Sequence, residues 1–363
     1  MDLLSSTEIF AINDVRDVSD FKTFSFSGYK KTEVKNQLLK SLQESKIEES
    51  CYWSAELVCS GHFLDLWDIA LFFLGKYIHL GNPLAILYLK RKFAVFRVVA
   101  NEVRYASRPL DLRNNQAVRE LFAELFSTLA LSDKKQSYED VRIEHVQDIN
   151  QMLTHLRANH SEYASSLLRE ADPKEWTIAL NEFAYHLSVH SRHLNMACFW
   201  LEWMVQYDHL CRHNKEPLLC EKRIEYGELE SKYRGDFIWL IWETLVHYAE
   251  QRGTLEHTLV QSLFEQFRIR YSYGAIKKRK SMIYFAISIL TETTCLKKEI
   301  LKEADKEIVA VATANVHSVI YKTIQKAVVL KRTENSNLGK VEKNERLCES
   351  IDKLDLLQRY DII

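Results

Sequence analysis

Nine glycines and four prolines are all that this 363-residue chain contains, and that scarcity constrains its fold more than any motif does. Glycine and proline supply the left-handed and fixed-φ backbone that tight turns, bulges and phosphate-cradling loops require. A chain this poor in both has few places to build such features. The predicted fold is therefore all-α: a multi-helix bundle in two helical parts, with a short extended N-terminal arm.

The apolar spacing agrees. Val34, Leu38 and Leu42 recur at i, i+4 and i+8 behind Thr32, a candidate cap. A second helix is predicted over 47–59, stopped by Gly61, and a third over 63–80, so apolar on all sides that it reads as central. Gly81-Asn82-Pro83 then breaks the chain, and Pro83 opens a fourth helix that ends in the mixed basic and apolar run Tyr88 to Val99. Over 114–131, Val118, Leu121, Phe122, Leu125 and Leu129 share one face. Asp172-Pro173-Lys174-Glu175 is a helix start signal, with Asp as cap and Pro at the first helical position. Trp200 and Trp203, like Trp239 and Trp242, stand three apart and share a helix face. Later helices are predicted over 255–273, 278–295 and 298–330.

In the arm, the Phe24/Phe26 alternation suits a short strand as well as an extended segment with its aromatics pressed on a core. The polar stretch 132–140 is the predicted domain boundary. The expected organisation is an arm over 1–29, an N-terminal helical domain over 30–131, a C-terminal helical domain over 141–330, and a polar tail with a terminal helix over 331–363.

Apolar residues at 47%, with seven Trp, supply a sizeable core and exclude a largely disordered chain. The formal net charge of -1 argues against a protein that coats nucleic acid, whose affinity rests on neutralising phosphates, and leaves room for a local patch. The start MDLLSSTEIF lacks the basic and apolar regions of a secretory signal, and no run of about 18 apolar residues exists to cross a membrane. Seven irregularly spaced Cys point to reduced thiols in an intracellular compartment.

Three clusters carry chemistry by residue type. His186, His190 and His193, at spacings of four and three, suit a zinc site, yet Leu187 takes the place of the glutamate base of a zinc protease, and surface or capping histidines are the better reading. His209, Cys211, His213 and Cys220 have ligand types without paired ligand spacing. Cys59 and His62 would need a further partner to act as a nucleophile and base. The densest positive patch joins Arg268 and Arg270 to Lys277, Lys278, Arg279 and Lys280, beside Tyr271 and Tyr273, and suits an acidic protein or nucleic acid as well as a solvated turn. No glycine-rich phosphate loop, hydrolase elbow, paired-carboxylate or kinase motif occurs. Trp and Tyr are abundant enough to furnish interface anchors as well as core, so an aromatic-rich surface is expected. The reading is of a non-enzymatic protein without a cofactor.

A resemblance rests on Ser27-Gly28-Tyr29-Lys30-Lys31, then Trp53, Gly61 and Trp67, and finally Gly81-Asn82-Pro83. Over residues 27–89 the chain resembles a family of helical proteins encoded by large nucleocytoplasmic DNA viruses of the algal-virus and mimivirus-like groups. That family implies no catalytic residues. It implies a virion component, assembled in the host cytoplasm: a minor capsid protein whose partners are other capsid proteins, including the major one. Residues 46–61 are also similar to the helical collar of clamp-loader-type ATPases, an oligomerisation element. This second resemblance implies the alternative, a replication or transcription helper that binds nucleic acid through the local basic patch.

Overall fold

Helices make up all of the regular structure among the described residues, and the one extended pairing is an isolated antiparallel bridge between Phe24 and Lys30. The computed structural model describes residues 11–335, apart from 142, 144, 145, 224–228 and 294. The first ten residues of the expected arm and the tail beyond Asn335 lie outside the described residues. In chain order the α-helices are α1 (Lys31–Gln43), α2 (Ile47–Cys59), α3 (Phe63–Phe73), α4 (Ala85–Ala100), α5 (Val103–Ala106), α6 (Gln116–Leu131) and α7 (Ile149–Thr154). They continue with α8 (Trp176–Leu187), α9 (Leu194–His213), α10 (Ile238–Arg252), α11 (Thr254–Phe267), α12 (Ala275–Thr291), α13 (Glu303–Asn315) and α14 (Lys322–Asn335).

These helices fall into two compact units that are not contiguous in sequence. Among the described residues, the first holds those from 11 to Phe73, Tyr88–Ser132 and Glu299 to Asn335; the second holds Leu74–Leu87 and Asp133–Lys298. One crossing, at Ser132, lies in the expected boundary. The two contiguous domains expected over 30–131 and 141–330 are otherwise replaced by interleaved units, because α13 packs on α6 and the segment 74–81 packs on α12.

In the first unit α2 is the hub. Every residue from Ser50 to Cys59 is buried, because α1, α6 and the turn Val316–Tyr321 all pack on it. A helix enclosed in this way must satisfy its polar side chains locally. Ser50, Ser54 and Ser60 do so by donating to the carbonyls of Lys46, Cys51 and Glu56 at 2.7, 3.0 and 2.7 Å. Glu56, wholly buried, turns its carboxylate to the arm and accepts from the Ser27 amide at 2.5 Å and the Ser27 hydroxyl at 2.8 Å. The Ser60 hydroxyl accepts from the Phe26 amide at 2.8 Å. The arm is thus stitched to α2, with Phe21 and Phe26 buried and Phe24 outward. Gly28, at φ 82°, makes the turn that sends the chain into α1. Lys30 rather than Thr32 precedes the helix: the bridge to Phe24 starts α1 at Lys31 and leaves Thr32 inside its first turn.

The helix expected over 63–80 ends at Phe73. The second unit begins there with a wide π-type turn, Leu74–Ile78, and His79 adopts φ 47°. The carbonyls of Lys76 and Ile78 are taken by the amides of Ser137 and Lys135, at 2.9 and 3.1 Å. A Cβ on Gly81 would lie 2.5 Å from the Asp133 carbonyl, so that approach requires glycine. The expected helix over 298–330 is likewise broken, by a π-type turn at Val316–Tyr321 in the first unit.

In the second unit α8 to α12 enclose Trp176, Trp200, Trp203, Trp239 and Trp242, all buried. Asp172 does not cap α8, which starts at Trp176. Its carboxylate instead pairs with Arg223 and accepts from the amides of Arg169 at 2.8 Å and Glu221 at 3.0 Å. Burial works against that charge, yet Arg223 and the amides hold the carboxyl below its ordinary value.

Two tests follow from this packing. Glu56→Ala leaves the Ser27 amide buried without its acceptor and should lower stability by about 2–3 kcal/mol. Urea unfolding would show the loss and hydrogen exchange at Ser27 would locate it; unchanged exchange there would refute the stitch. The second concerns pH. His79 is buried with its ring 4.8 Å from that of Phe285, and burial, with Lys135 and Lys76, pushes its pKa down to about 3. His186 is pushed down to about 4, by burial, His193 and Arg157. Both stay neutral in the folded chain while the unfolded chain takes up protons near pH 6.5. Stability should therefore be complete above that pH and decline steadily as pH falls toward 4, and a urea midpoint equal at pH 7.5 and 5 would contradict it.

Candidate functional site

The basic patch read from the sequence is partly taken apart by the fold. Lys280 is buried and binds Glu202 Oε1 at 2.7 Å and Asp140 Oδ2 at 2.9 Å, in a cluster completed by the Tyr284 hydroxyl. Arg279 donates to the carbonyls of Phe267 and Ile269, at 2.8 and 2.6 Å, and so closes the C-terminus of α11. Tyr271 and Tyr273 turn away from solvent and donate to Asp236 and Asp208, at 2.9 and 2.8 Å, while Arg212 bridges the two aspartates. Burial raises the Asp236 carboxyl, although Arg212 and Tyr271 draw it back. Arg270, Lys277 and Lys278 remain exposed, and Arg268 is half-buried beside the Phe264 ring. The remaining patch has no aromatic platform.

The histidine and cysteine clusters follow the same logic. His186 is buried, with Nδ1 2.8 Å from the Ser191 hydroxyl; His190 is exposed near Tyr163; His193 caps α9 by accepting from the Met196 amide at 3.3 Å. His209 and His213 are exposed on α9 and Cys211 is half-buried, whereas Cys220 is buried and burial pushes its thiol up to about 12. Cys59 is enclosed in α2 and burial raises its thiol, while His62 Nδ1 lies 3.8 Å from Asp65. Among the described residues no group of three His, Cys, Asp or Glu side chains is placed to hold a metal ion.

The residues that carry the viral resemblance serve packing. Ser27, Gly28 and Tyr29 form the stitched arm, with the Tyr29 ring edge-on to Trp53 at 5.5 Å. Lys30 pairs with Phe24 across the bridge, and Lys31 reaches Asp65 at 3.3 Å. Gly61 holds φ 73° after α2, and Trp67 packs on Phe93, Phe96 and Phe122. In the second unit Gly81 meets Asp133, and Asn82 and Pro83 are buried.

The aromatic-rich surface is corrected outright. All seven Trp are buried, and Phe24 is the sole exposed aromatic among the described residues. Rings this large gain most by leaving water, and two helical cores provide room for them.

What the fold does expose is a basic and aliphatic face in the first unit. Of the seven Lys and Arg between Lys90 and Asn114, four are exposed, Arg91, Arg97, Arg104 and Arg108, while Lys92 pairs with Glu124 and Arg113 is buried. On α4 the inward positions Tyr88, Leu89 and Phe96 are buried, which turns Arg91, Val95, Arg97 and Val98 outward. Val98 is 74% and Val103 89% exposed, so apolar surface alternates with charge. Arg104 and Arg108 continue the face, each beside one carboxylate, Glu102 at 2.7 Å and Asp111 at 3.1 Å. A recess of about 710 Å3 follows, lined by Arg104, Arg108 and Arg113, by Asp14 and Asp111, and by the first residues of α6. The charge imbalance over 90–114 is the signal in the sequence that marks this face.

Comparison with protein-family models, with curated proteins and with solved structures returns no match to this chain. No helix among the described residues is long and apolar enough to cross a membrane.

Lys277 and Lys280, two of the three lysines of the patch, should separate cleanly. Lys280→Ala strands the Glu202 carboxylate in the core and should lower stability by about 3–5 kcal/mol, whereas Lys277→Ala should change it by less than about 0.5 kcal/mol. Equal urea midpoints for the two variants would refute the buried cluster.

Proposed function

We propose that this chain is a non-catalytic assembly protein that docks an acidic protein surface through the face running from Arg91 to Arg108. The observation that carries the reading is the alternation of arginines with exposed valines on α4 and α5. Arginine pairs with carboxylates, while Val95, Val98 and Val103 offer aliphatic area that a protein partner covers and a phosphate backbone does not. Nucleic-acid surfaces that bind single strands add exposed stacking rings, and this face has none. Among the catalytic and metal-site candidates drawn from the sequence, Cys59, His186 and Cys220 are buried in the cores and His193 caps α9. Together with the resemblance to proteins of large DNA viruses, the setting is a virion, with the chain as a minor capsid protein beneath the major capsid lattice.

The test is particle composition. Virus carrying Arg91→Glu, Arg97→Glu and Arg104→Glu should be purified, nuclease-treated and quantified by mass spectrometry against the parent virus. The parent chain should be present at a fixed ratio to the major capsid protein, and the variant should fall at least roughly tenfold, the loss that about 1.4 kcal/mol of docking energy represents. Absence of the parent chain from particles would overturn the virion setting. Tight, steeply salt-dependent binding of the purified protein to DNA, lost in the same variant, would overturn the protein partner in favour of the replication helper.

A further inference from the structure

A second feature of the first unit lies apart from the basic face. Between the first turn of α2 and the place where α13 gives way to the turn Val316–Tyr321 there is a cavity of about 330 Å3. That volume is within the range of small-molecule sites. Ile47, Ile308, Val311, Ala312 and Ile320 make its walls apolar. The π-type turn at its edge interrupts an otherwise continuous helix, and such interruptions recur at functional sites.

The charged groups on the walls are both acids, Glu48 and Glu307. Glu48 Oε2 is buried with no hydrogen-bond partner among the described residues. An acceptor left in that state is paired far better by a donor than by nothing. The adjacent Lys46 does not supply one, because its ammonium lies 3.3 Å from Glu44 and 3.1 Å from Glu49. Burial, with Glu49 nearby, raises the Glu48 carboxyl, the direction expected of an acid that lacks a cation. Cys51 also lines the cavity, but its sulfur is 3.2 Å from the Ser127 hydroxyl and burial pushes the thiol up to about 11, so a ligand here is held without a covalent bond.

We propose that this cavity binds a small amphiphilic amine, its apolar body against Ile308, Val311 and Ile320 and its ammonium group on the carboxylate of Glu48. Charge complementarity selects this class. An anionic amphiphile would meet two carboxylates with Asn315 alone among the lining side chains to donate to it, and a hydrocarbon would leave the charge of Glu48 and Glu307 unanswered. This inference goes beyond the docking role and does not rest on it.

Calorimetric titration of the full chain with octylamine, octanol and octanoate, each below its micellar range, tests the proposal. Octylamine should saturate one site, with octanoate weaker by roughly tenfold or more. Glu48→Gln should bring octylamine down to the affinity of octanol and leave octanol unchanged. Ala312→Trp, which fills the cavity, should abolish binding of all three, with thermal melts by circular dichroism to establish that each variant folds; Val311→Trp serves in its place if it does not. Equal binding of octylamine and octanoate, octylamine binding untouched by Glu48→Gln and the filling variant, or no saturable binding by the parent chain would overturn it.

Discussion

Buried carboxylates are the constraint on which both units depend. A carboxylate in a helical core is tolerated only where amides, hydroxyls or cations surround it, so each one draws a distant segment toward itself. Glu56 draws in the arm through Ser27. Glu182 accepts from the amides of Arg157 and Ala158, at 3.0 and 2.9 Å, and fixes the loop before α8. Asp172, Asp208, Asp236 and Glu202 do the same for Arg223, Tyr273, Tyr271 and Lys280. In a chain with so few glycines and prolines, these acids hold the connections that tight turns hold elsewhere.

This arrangement explains why the most basic stretch of the sequence is not the most basic surface. Lys280 stands one helical turn from Ile276 and Tyr284, both buried, and so lies on the inward face of α12. The clue was in the spacing, but a lysine on an apolar face reads as core only once an acid is known to wait there. Glu202 is 78 residues away, and nothing local announces it. Conversely, Arg91 and Arg97 on α4 and Arg104 on α5 are exposed, while Tyr88 and Phe96 are buried. The aromatic residues follow the same rule in reverse: the rings that looked like interface anchors fill the two cores, and aliphatic side chains are left to form the apolar part of the exposed face.

The proposed docking face and the proposed amine cavity occupy different parts of the first unit and use opposite charge. The face presents arginines to a surface, where contact is broad and shaped by electrostatic steering. The cavity offers acids within apolar walls, where a single charged group decides the ligand class. The resemblance motif contributes to neither directly. Its residues build the arm, the end of α2 and the close approach at Gly81.

The sequence by itself determined the helical class, the buried faces of α1 and α6, and the break at Gly81 to Pro83, because helix formation and amphipathic burial depend on residues three and four apart. Only the tertiary structure decided that the units interleave, that Asp172 serves Arg223 instead of capping a helix, that Leu74–Ile78 and Val316–Tyr321 widen into π-type turns, and that Lys280 is buried. Each of these turns on groups far apart in sequence that meet only after packing, where the need to satisfy a buried charge or carbonyl overrides the preference of the local segment.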